Sequence, residues 1–354
     1  MQQPAILHRR RPLLRYLLAS VLLLLATGCA DTVKKAEHSL HGHTMGTRYN
    51  ISFVNSTKEQ SQTVYQQTLQ AGVDNLLQQI NQSMSTYIAD SELNRFNNLA
   101  VNQWMPISAD LFTVIRQAQN ISLLSTGAFD ITVGPLVDLW GFGPGFSAEQ
   151  VPAKKQITAL KQRTGYHEIE LDSTQQRIRK TSERRLDLSA IAKGFATDKV
   201  ADYLQQQGIK HYLVEIGGEI RLKGHKPDGS LWRVAIEKPV SDERAVMKLL
   251  SLTNVAIATS GDYRNFFEAN GKRYSHTIDP NSGYPIRHQL VSVTVITDRC
   301  IKADAFATAM MVMGVKNALA LAKQEKLAVL LIKRTKKGFV EYKNAAFSAY
   351  LKEQ

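Results

Sequence analysis

The spacing of apolar residues along the chain predicts four helices. Over residues 60–81 apolar side chains recur at near-helical intervals, which predicts an amphipathic helix. Similar spacing predicts helices over 111–125 and 302–323, the second of which is rich in alanine and methionine. A fourth helix is expected to begin at Ser189, as its N-cap, and to run to Gly208.

Short apolar runs between turn-rich segments predict a series of strands. We expect them at 48–54, 168–171, 177–179, 186–188, 212–216, 220–223, 232–236, 255–259, 291–295, 327–332 and 338–342. Because neighbouring strands are joined by tight turns, the pattern favours an α+β fold with mainly antiparallel sheets and flanking helices. No repeat and no interdomain linker is visible, so residues 43–350 are expected to form a single unit with two lobes.

The first 28 residues are expected to be an export signal. A basic stretch ending at Arg15 precedes an apolar run of about 11 residues, Leu17–Thr27, which is too short for a bilayer that needs about 20. Small residues then precede Cys29, as in a bacterial lipobox, so we expect a diacylglycerol on its thiol and a polar tether over 29–42. The alternative is a plain signal peptide with an incidental cysteine. A lipid anchor predicts a location on the periplasmic side of the inner or the outer membrane.

The composition excludes several classes of protein. With 44% hydrophobic residues and no long low-complexity tract, the chain is globular rather than disordered. Once Cys29 is lipidated, Cys300 is the remaining cysteine, so no disulfide is expected and Cys300 should lie in the core. The net charge of +13 admits nucleic acid, but the basic residues are interspersed with acids and lack interleaved aromatics, which excludes that partner. An anionic small molecule or membrane surface fits better.

Two segments carry residue types that a core does not require. In Leu186–Gly194 a strand leads into a helix whose first turn contains Lys193, and N–H groups beside a cation suit a phosphate or pyrophosphate. The glycine pattern of a Walker loop does not precede Lys193. Asp304 and Thr308 lie four residues apart on one helix face, where a carboxylate and a hydroxyl suit a hard cation such as Mg²⁺. Helix capping by Asp304 is the competing explanation.

The segment Ser275–Gly283, which contains His276, forms the stronger pair of signals with Leu186–Gly194. There a polar strand end runs into an Asp-Pro turn, and a simple turn is the competing explanation. Three further segments are weaker signals when each is taken alone. They surround Met45, Tyr87 and Phe129, in the sequences HTMGT, MSTY and TGAFD. Aromatic side chains beside glycines could line a planar ligand. A strand entry, a helix exit with an aromatic cover and a rigid surface loop are the competing explanations.

Taken in order, the segments GHTMGT, MSTYxxDSELxRFN, TGAFDxTVGPLV, LDLSAIAKG, EIGGEI, SHTIDPxSG and ADAxAT resemble the ApbE family of flavin transferases. The resemblance covers about residues 42–345 and implies one ApbE-like catalytic unit. The FAD contacts it implies are Met45, Tyr87, Ala128, Phe129, Asp130, Asp187, Lys193 and Ile278. The Mg²⁺ ligands it implies are the carbonyl of Ala190, Asp304 and Thr308. His276 is the candidate general base, with Asp304 as the alternative.

The resemblance also implies a reaction, the transfer of FMN from FAD to a threonine or serine hydroxyl of a second protein. The hydroxyl attacks the phosphorus on the FMN side, AMP leaves, and FMN stays attached through a phosphoester, with Mg²⁺ offsetting the developing charge. The implied acceptors are flavin-bearing subunits of membrane redox complexes, such as the Na⁺-translocating NADH:quinone oxidoreductase and Rnf-type relatives. Two alternatives stay open, a periplasmic FAD-binding lipoprotein without transfer activity and a Mg²⁺-dependent FAD pyrophosphatase.

Overall fold

The computed structural model describes residues 35–55, 59–143, 151–240, 245–263, 265–269 and 271–351. The expected export signal and the expected lipidation site at Cys29 lie outside these residues. Cys300 is fully buried, as predicted.

The long helices follow the apolar pattern closely. The helices are α1 (Glu59–Met84), α2 (Glu92–Asn97), α3 (Ala109–Leu124), α4 (Gly134–Leu139), α5 (Lys154–Lys161), α6 (Ala192–Gln206), α7 (Cys300–Gln324) and α8 (Ala345–Ala349). Helices α1, α3 and α7 agree with the prediction to within three residues at each end, which is close to the usual uncertainty of helix boundaries. The short helices α2, α4, α5 and α8 carry too few turns for apolar periodicity to reveal them.

The predicted start of α6 at Ser189 is wrong. The helix begins at Ala192, and the residue at the N-cap position, Ile191, makes no side-chain cap. The Asp187 carboxylate instead accepts a hydrogen bond from the Ser189 N–H at 2.8 Å. This is an Asx turn, in which an aspartate side chain substitutes for the backbone two residues on. The turn also replaces the strand end that was predicted over 186–188.

The strands build one large antiparallel sheet and several small ones. The strands are β1 (Ala36–Thr44), β2 (Thr47–Asn55), β3 (Met105–Pro106), β4 (Ile169–Asp172), β5 (Arg177–Lys180), β6 (Tyr212–Ile216), β7 (Glu219–Lys223), β8 (Trp232–Glu237), β9 (Val246–Leu252), β10 (Val255–Gly261), β11 (Phe266–Ala269), β12 (Lys272–Ser275), β13 (Ile278–Asp279), β14 (Tyr284–Pro285), β15 (Leu290–Thr297), β16 (Ala328–Thr335) and β17 (Gly338–Lys343). Within the described residues the large sheet has the order β1-β2-β6-β7-β10-β15-β16-β17, and every neighbouring pair is antiparallel. The predicted α+β class with mainly antiparallel sheets is confirmed.

Strand β1 corrects the extent of the predicted tether. Residues 36–42 were expected to belong to a polar tether, but they pair with β2 in a hairpin whose register runs from Ala36 opposite Asn55 to Thr44 opposite Thr47. The strand escaped prediction because it forms the outer edge of the sheet, and its side chains are mostly exposed apart from Leu40 and Thr44. An edge strand of this kind has no apolar alternation strong enough to distinguish it from a polar linker.

Helices and a hairpin cover the two faces of the large sheet. Along β16, Val329 and Leu331 belong to the main core, whereas Leu330 and Ile332 belong to a second cluster. Because successive side chains of a strand point to opposite faces, the sheet is buried on both sides, which explains the unbroken apolar run of β16. The main core includes residues of α1, α3, α6 and α7, and the second cluster includes residues of β8, β9 and α8.

Candidate active site

The first turn of α6 and the N-terminal half of α7 border a cavity of about 410 Å³, together with β7 and β10. We call it the FAD cavity, after the ligand that the resemblance implies. It collects all but one of the site residues implied by the resemblance, namely Tyr87, Ala128, Phe129, Asp130, Asp187, Ala190, Lys193, His276, Ile278, Asp304 and Thr308. The exception is Met45, which lines a neighbouring cavity of about 1340 Å³. The two cavities meet, since Gly217, Thr259 and Gly261 line both.

Lys193 is the cation of the FAD cavity. It is the second residue of α6, so its ammonium lies at the positive end of a 15-residue helix, as the sequence predicted. Its Nζ is 2.5 Å from Oε1 of Glu219, the first residue of β7. The other carboxylate oxygen of Glu219, Oε2, is buried and has no hydrogen-bond partner. An ion pair with one oxygen left over is a preorganised contact for a ligand atom.

The charges of the cavity shift one another's ionisation. Burial raises the pKa of Glu219 to about 7, although the Lys193 ammonium opposes that rise. Burial also raises the pKa of Asp304, against the opposing effects of Lys193 and of the Gly194 amide. Burial works against the charged form of Lys193, but the carboxylates of Glu219 and Asp304 hold its pKa above the usual value. One permanent cation therefore lies between two carboxylates that protonate more easily than usual.

A glycine brings α6 and α7 into direct contact and so fixes Asp304. The Gly194 N–H donates a hydrogen bond to Oδ2 of Asp304 at 2.9 Å. A Cβ added to Gly194 would lie 2.4 Å from the carbonyl oxygen of Cys300 and 2.7 Å from Cβ of Asp304. Both distances are shorter than any side chain tolerates, so glycine is required for the two helices to approach this closely.

A buried carboxylate one turn further along α6 anchors the start of α7. Asp198 is 0% exposed, and its two oxygens accept hydrogen bonds at 3.0 Å from the backbone N–H groups of Cys300 and Ile301. Arg221 and Arg299 pair with the same carboxylate at 3.1 and 3.2 Å. A negative charge at the N-terminus of a helix is stabilising. Because Cys300 and Asp304 are four residues apart, this anchor also sets the position of Asp304.

The oxygen donors of the cavity fit a magnesium ion that is bound together with a phosphate. Among the described residues, no cluster of three or more His, Cys, Asp and Glu side chains could hold a metal on its own. The cavity instead offers the carboxylate of Asp304, the hydroxyl of Thr308 and the segment that contains Ala190. Mg²⁺ prefers oxygen ligands and is usually held by one or two carboxylates plus substrate phosphates and water. The unpartnered Oε2 of Glu219 adds a further oxygen at the same cavity.

His276 has the geometry of a proton acceptor. Its Nδ1 lies 3.0 Å from the carbonyl oxygen of Asn265, and a carbonyl can only accept, so Nδ1 carries the proton. The lone pair of the neutral ring is therefore on Nε2. Burial lowers the pKa of His276 below its usual value of 6.5, although the bond to Asn265 opposes this, and Lys193 lowers it further. The imidazole is neutral at neutral pH and can accept a proton.

The aromatic residues expected to cover flat rings differ in their exposure. Tyr87 is 75% exposed, so its ring is available to a ligand. Phe129 is only 2% exposed and packs in the main core, so its ring does not offer the same open face. The ring-covering role that the sequence assigned to both residues therefore fits Tyr87 better.

Asp130 is held by the protein itself. Its Oδ1 accepts bonds from the Thr132 N–H at 2.8 Å and from the Thr132 hydroxyl at 2.6 Å, and its Oδ2 accepts from the Tyr166 N–H at 3.0 Å. The buried carboxylate thus shapes the loop that follows Phe129. Since both carboxylate oxygens are engaged within the protein, Asp130 would contact FAD mainly through its backbone atoms.

Two carboxylates, Glu219 and Asp198, have roles that the sequence did not predict. Glu219 belongs to the EIGGEI segment, which contributed to the resemblance without a role for any of its residues. Its partner Lys193 lies 26 residues earlier in the chain. In the sequence, the only signal for Glu219 was an acidic residue directly after a pair of glycines. Asp198 gave no signal, because it looks like any polar residue of an amphipathic helix.

The cavity combines a cation at a helix N-terminus, hard oxygen donors and an exposed aromatic ring. Together these features define a site for a nucleotide phosphate. The model of the ApbE family matches residues 45–331, and the chain therefore belongs to the ApbE family.

Relatives of known name support the same assignment. The FAD:protein FMN transferase of Vibrio cholerae is 45% identical over 336 residues, which are 95% of this chain and 98% of that protein. The solved structure of the flavin transferase ApbE from Vibrio cholerae has a TM-score of 0.81 at 44% identity and covers 89% of this chain and 99% of its own. The apo form of the flavinyl transferase ApbE from Pseudomonas stutzeri has a TM-score of 0.81 at 39% identity and covers 90% and 98%.

Proposed function

We propose that this chain transfers FMN from FAD to a threonine or serine hydroxyl of a second protein. The observation that carries the proposal is the FAD cavity, where Lys193, Asp304, Thr308 and His276 border one space. The names of the relatives, FAD:protein FMN transferase, agree with it. Phosphoryl-type transfer needs positioning and charge neutralisation more than covalent work by the enzyme, and those are the resources of this cavity.

In the proposed step, the acceptor hydroxyl oxygen forms a bond to the phosphorus on the FMN side of FAD. The bond between that phosphorus and the bridging oxygen breaks, and AMP leaves with the bridging oxygen. FMN remains on the acceptor through a phosphoester, and the proton of the hydroxyl passes to a base. Lys193 offsets the negative charge of the pyrophosphate.

Asp304, Thr308 and the carbonyl of Ala190 would hold Mg²⁺, which supplies Lewis acidity to the phosphoryl oxygens when it is bound. The chain's own part is to present these oxygens in fixed positions. The Gly194 amide and the Asp198 anchor serve this purpose for Asp304.

His276 is the proposed general base, with its unprotonated Nε2 as the acceptor atom. The Nδ1 bond to the Asn265 carbonyl fixes the ring and its tautomer, as an orienting partner does for a catalytic histidine. Asp304 is the less suitable base, because one of its oxygens already accepts from Gly194 and the carboxylate is proposed to bind the metal.

We also propose that the mature chain is attached to the periplasmic side of a bacterial membrane by a lipid on Cys29. The apolar run and the small residues before Cys29 support this location. Flavin-bearing subunits of membrane redox complexes, of the Na⁺-translocating NADH:quinone oxidoreductase or Rnf type, are the proposed acceptors. A membrane-attached enzyme would encounter them in two dimensions.

Intact-protein mass spectrometry of the acceptor tests the function. The mature chain in detergent is incubated with FAD, Mg²⁺ and an acceptor domain, beside a chelator control and an acceptor in which the target threonine is alanine. A mass gain of one FMN that needs both the metal and the threonine is the expected result. Free FMN and AMP without a labelled acceptor would make the protein a pyrophosphatase, and bound FAD without products would make it a carrier.

A further inference from the structure

The second cavity, of about 1340 Å³, adjoins the FAD cavity. We call it the side groove. Its border with the FAD cavity is formed by Gly217, Thr259 and Gly261. Two of these three residues are glycines, so little side-chain bulk separates the two spaces. Two other surface cavities, of about 330 and 390 Å³, share no lining residue with the FAD cavity.

The size and the charges of the side groove favour a polypeptide over a small anion. Small-molecule sites usually occupy about 300–1,000 Å³, and the side groove exceeds that range. Its lining carries both signs of charge, with Arg48 on one hand and Glu215 and Glu237 on the other. The carboxylates of Glu215 and Glu237 would repel a small anion, whereas a polypeptide can present groups of both signs.

Strands border the side groove. Three consecutive residues of β8, Ala235, Ile236 and Glu237, line it, so this strand runs along the groove. Across the groove from β8, strand β10 pairs with β7 only from Val255 to Ile257. Within the described part of the chain, the remaining residues of β10 up to Gly261 therefore have no strand partner along the edge that faces β7. Unpaired strand edges bind extended peptides through main-chain hydrogen bonds.

We propose that the side groove receives an extended segment of the acceptor protein, with its reactive hydroxyl at the junction formed by Gly217, Thr259 and Gly261. The inference rests on the proposed function, because that function requires a protein hydroxyl to reach a phosphorus in the FAD cavity. A segment in the side groove enters that cavity through its shared border. The acceptor segment must therefore be extended or able to unfold locally, whereas a hydroxyl in the middle of a stable helix would not be modified.

Ala235 gives the sharpest test, because its exposed side chain lines the side groove and not the FAD cavity. The variant Ala235→Trp fills the groove, and Ala235→Arg is a second variant of different shape and charge. The matched control is Arg233→Trp, which places the same ring two residues earlier on the same face of β8, at an exposed position outside both cavities. All variants are made in the mature chain in detergent, with FAD affinity measured by fluorescence quenching and folding by thermal unfolding.

The expected result is a KM for the acceptor domain that rises about tenfold or more in both Ala235 variants, because a filled pocket clashes with its partner. FAD affinity should stay within about twofold of wild type, and Arg233→Trp should resemble wild type in both measurements. A KM for the acceptor that is the same in the Ala235 and Arg233 variants would overturn the proposal. FAD affinity that falls with Ala235→Trp would also overturn it, since part of the dinucleotide would then occupy the groove.

The same experiment separates this inference from the proposed function. If wild-type enzyme labels no acceptor at all, the transferase function fails and the groove assignment fails with it. If wild-type enzyme and Arg233→Trp label the acceptor normally while the Ala235 variants do so too, only the groove assignment fails.

Discussion

Replacing Lys193 by methionine should destabilise the fold, and the loss should depend on pH. The change keeps the length of the side chain but leaves the buried carboxylate of Glu219 without its cation, which lies 2.5 Å away in the native protein. Breaking a buried pair by removing one partner costs about 3–5 kcal/mol. Because the Lys193 side chain is 29% exposed, water screens part of the interaction, and we expect about 2–3 kcal/mol at pH 9.

The pH dependence follows from Glu219. In the native protein burial already raises its pKa to about 7, and removing Lys193, which opposes that rise, must raise it further. An acid whose pKa is higher in the folded than in the unfolded state favours folding at low pH, and this stabilisation is lost as the pH rises through the folded value. The variant should therefore approach wild-type stability near pH 6, where Glu219 is protonated in both proteins, and fall behind it towards pH 9.

Denaturant unfolding followed by tryptophan fluorescence at pH 6 and pH 9 measures both effects. The control is Lys199→Met on the same helix, a substitution that breaks the ion pair between Lys199 and Asp110. Because these two side chains are 33% and 39% exposed, the substitution should cost less than about 1 kcal/mol at either pH. The double variant Lys193→Met/Glu219→Gln should recover most of the loss at pH 9. A Lys193→Met loss that equals the Lys199→Met loss, or that does not shrink at pH 6, would refute the reasoning.

Three substitutions test the assigned roles in the FAD cavity. Asp304→Asn keeps an acceptor for the Gly194 amide but removes the negative charge of the side chain. The kcat should fall about 10³-fold while FAD still binds. Normal turnover would exclude Asp304 from the metal site. Tyr87→Ala should weaken FAD binding about 5- to 100-fold, because the stacking of its ring is lost. FAD titration measures the affinity, with Tyr87→Phe as the control that keeps the ring. Unchanged affinity in Tyr87→Ala would exclude Tyr87 from the ring contacts. His276→Asn should lower kcat about 10²- to 10⁴-fold. Because the pKa of His276 is lowered, the acid limb of the wild-type kcat/KM profile should have its midpoint below pH 6.5, and this limb should disappear in the variant. If a limb near pH 7 survives the substitution, the group that titrates is Glu219 rather than His276.

The sequence predicted those elements that carry many apolar residues in a regular pattern. Helix α7 was predicted because its apolar residues continue over more than six turns, and β15 because Val291, Val293 and Val295 alternate along it. Strand β1 was missed because its stability comes from pairing with β2 rather than from an apolar face of its own. Ser189 was mistaken for a helix cap because it lies inside a turn, where its own N–H donates to Asp187 and the N–H groups of Ile191 and Ala192 donate to the Leu188 carbonyl.

Individual site residues were predictable where a motif named them, but their partners were not. Lys193 and Asp304 are separated by more than a hundred residues, and their common cavity depends on the close contact that Gly194 allows between α6 and α7. The role of Glu219 follows from a contact between β7 and α6 that no local pattern encodes. Met45 matched the family motif, yet it lies in the neighbouring cavity, a distinction that only the fold reveals.

The early start of β1 limits where a lipid-anchored enzyme can work. Only six residues lie between Cys29 and Ala36, and the seven steps of the chain from one to the other span at most about 25 Å when fully extended. With the proposed lipid on Cys29, the edge of the large sheet is confined to a thin layer above the headgroups. The turn at Met45 lies at the far end of the nine-residue strand, about 30 Å further. Target hydroxyls close to the membrane surface are then within reach, and those on domains that project deep into the periplasm are not.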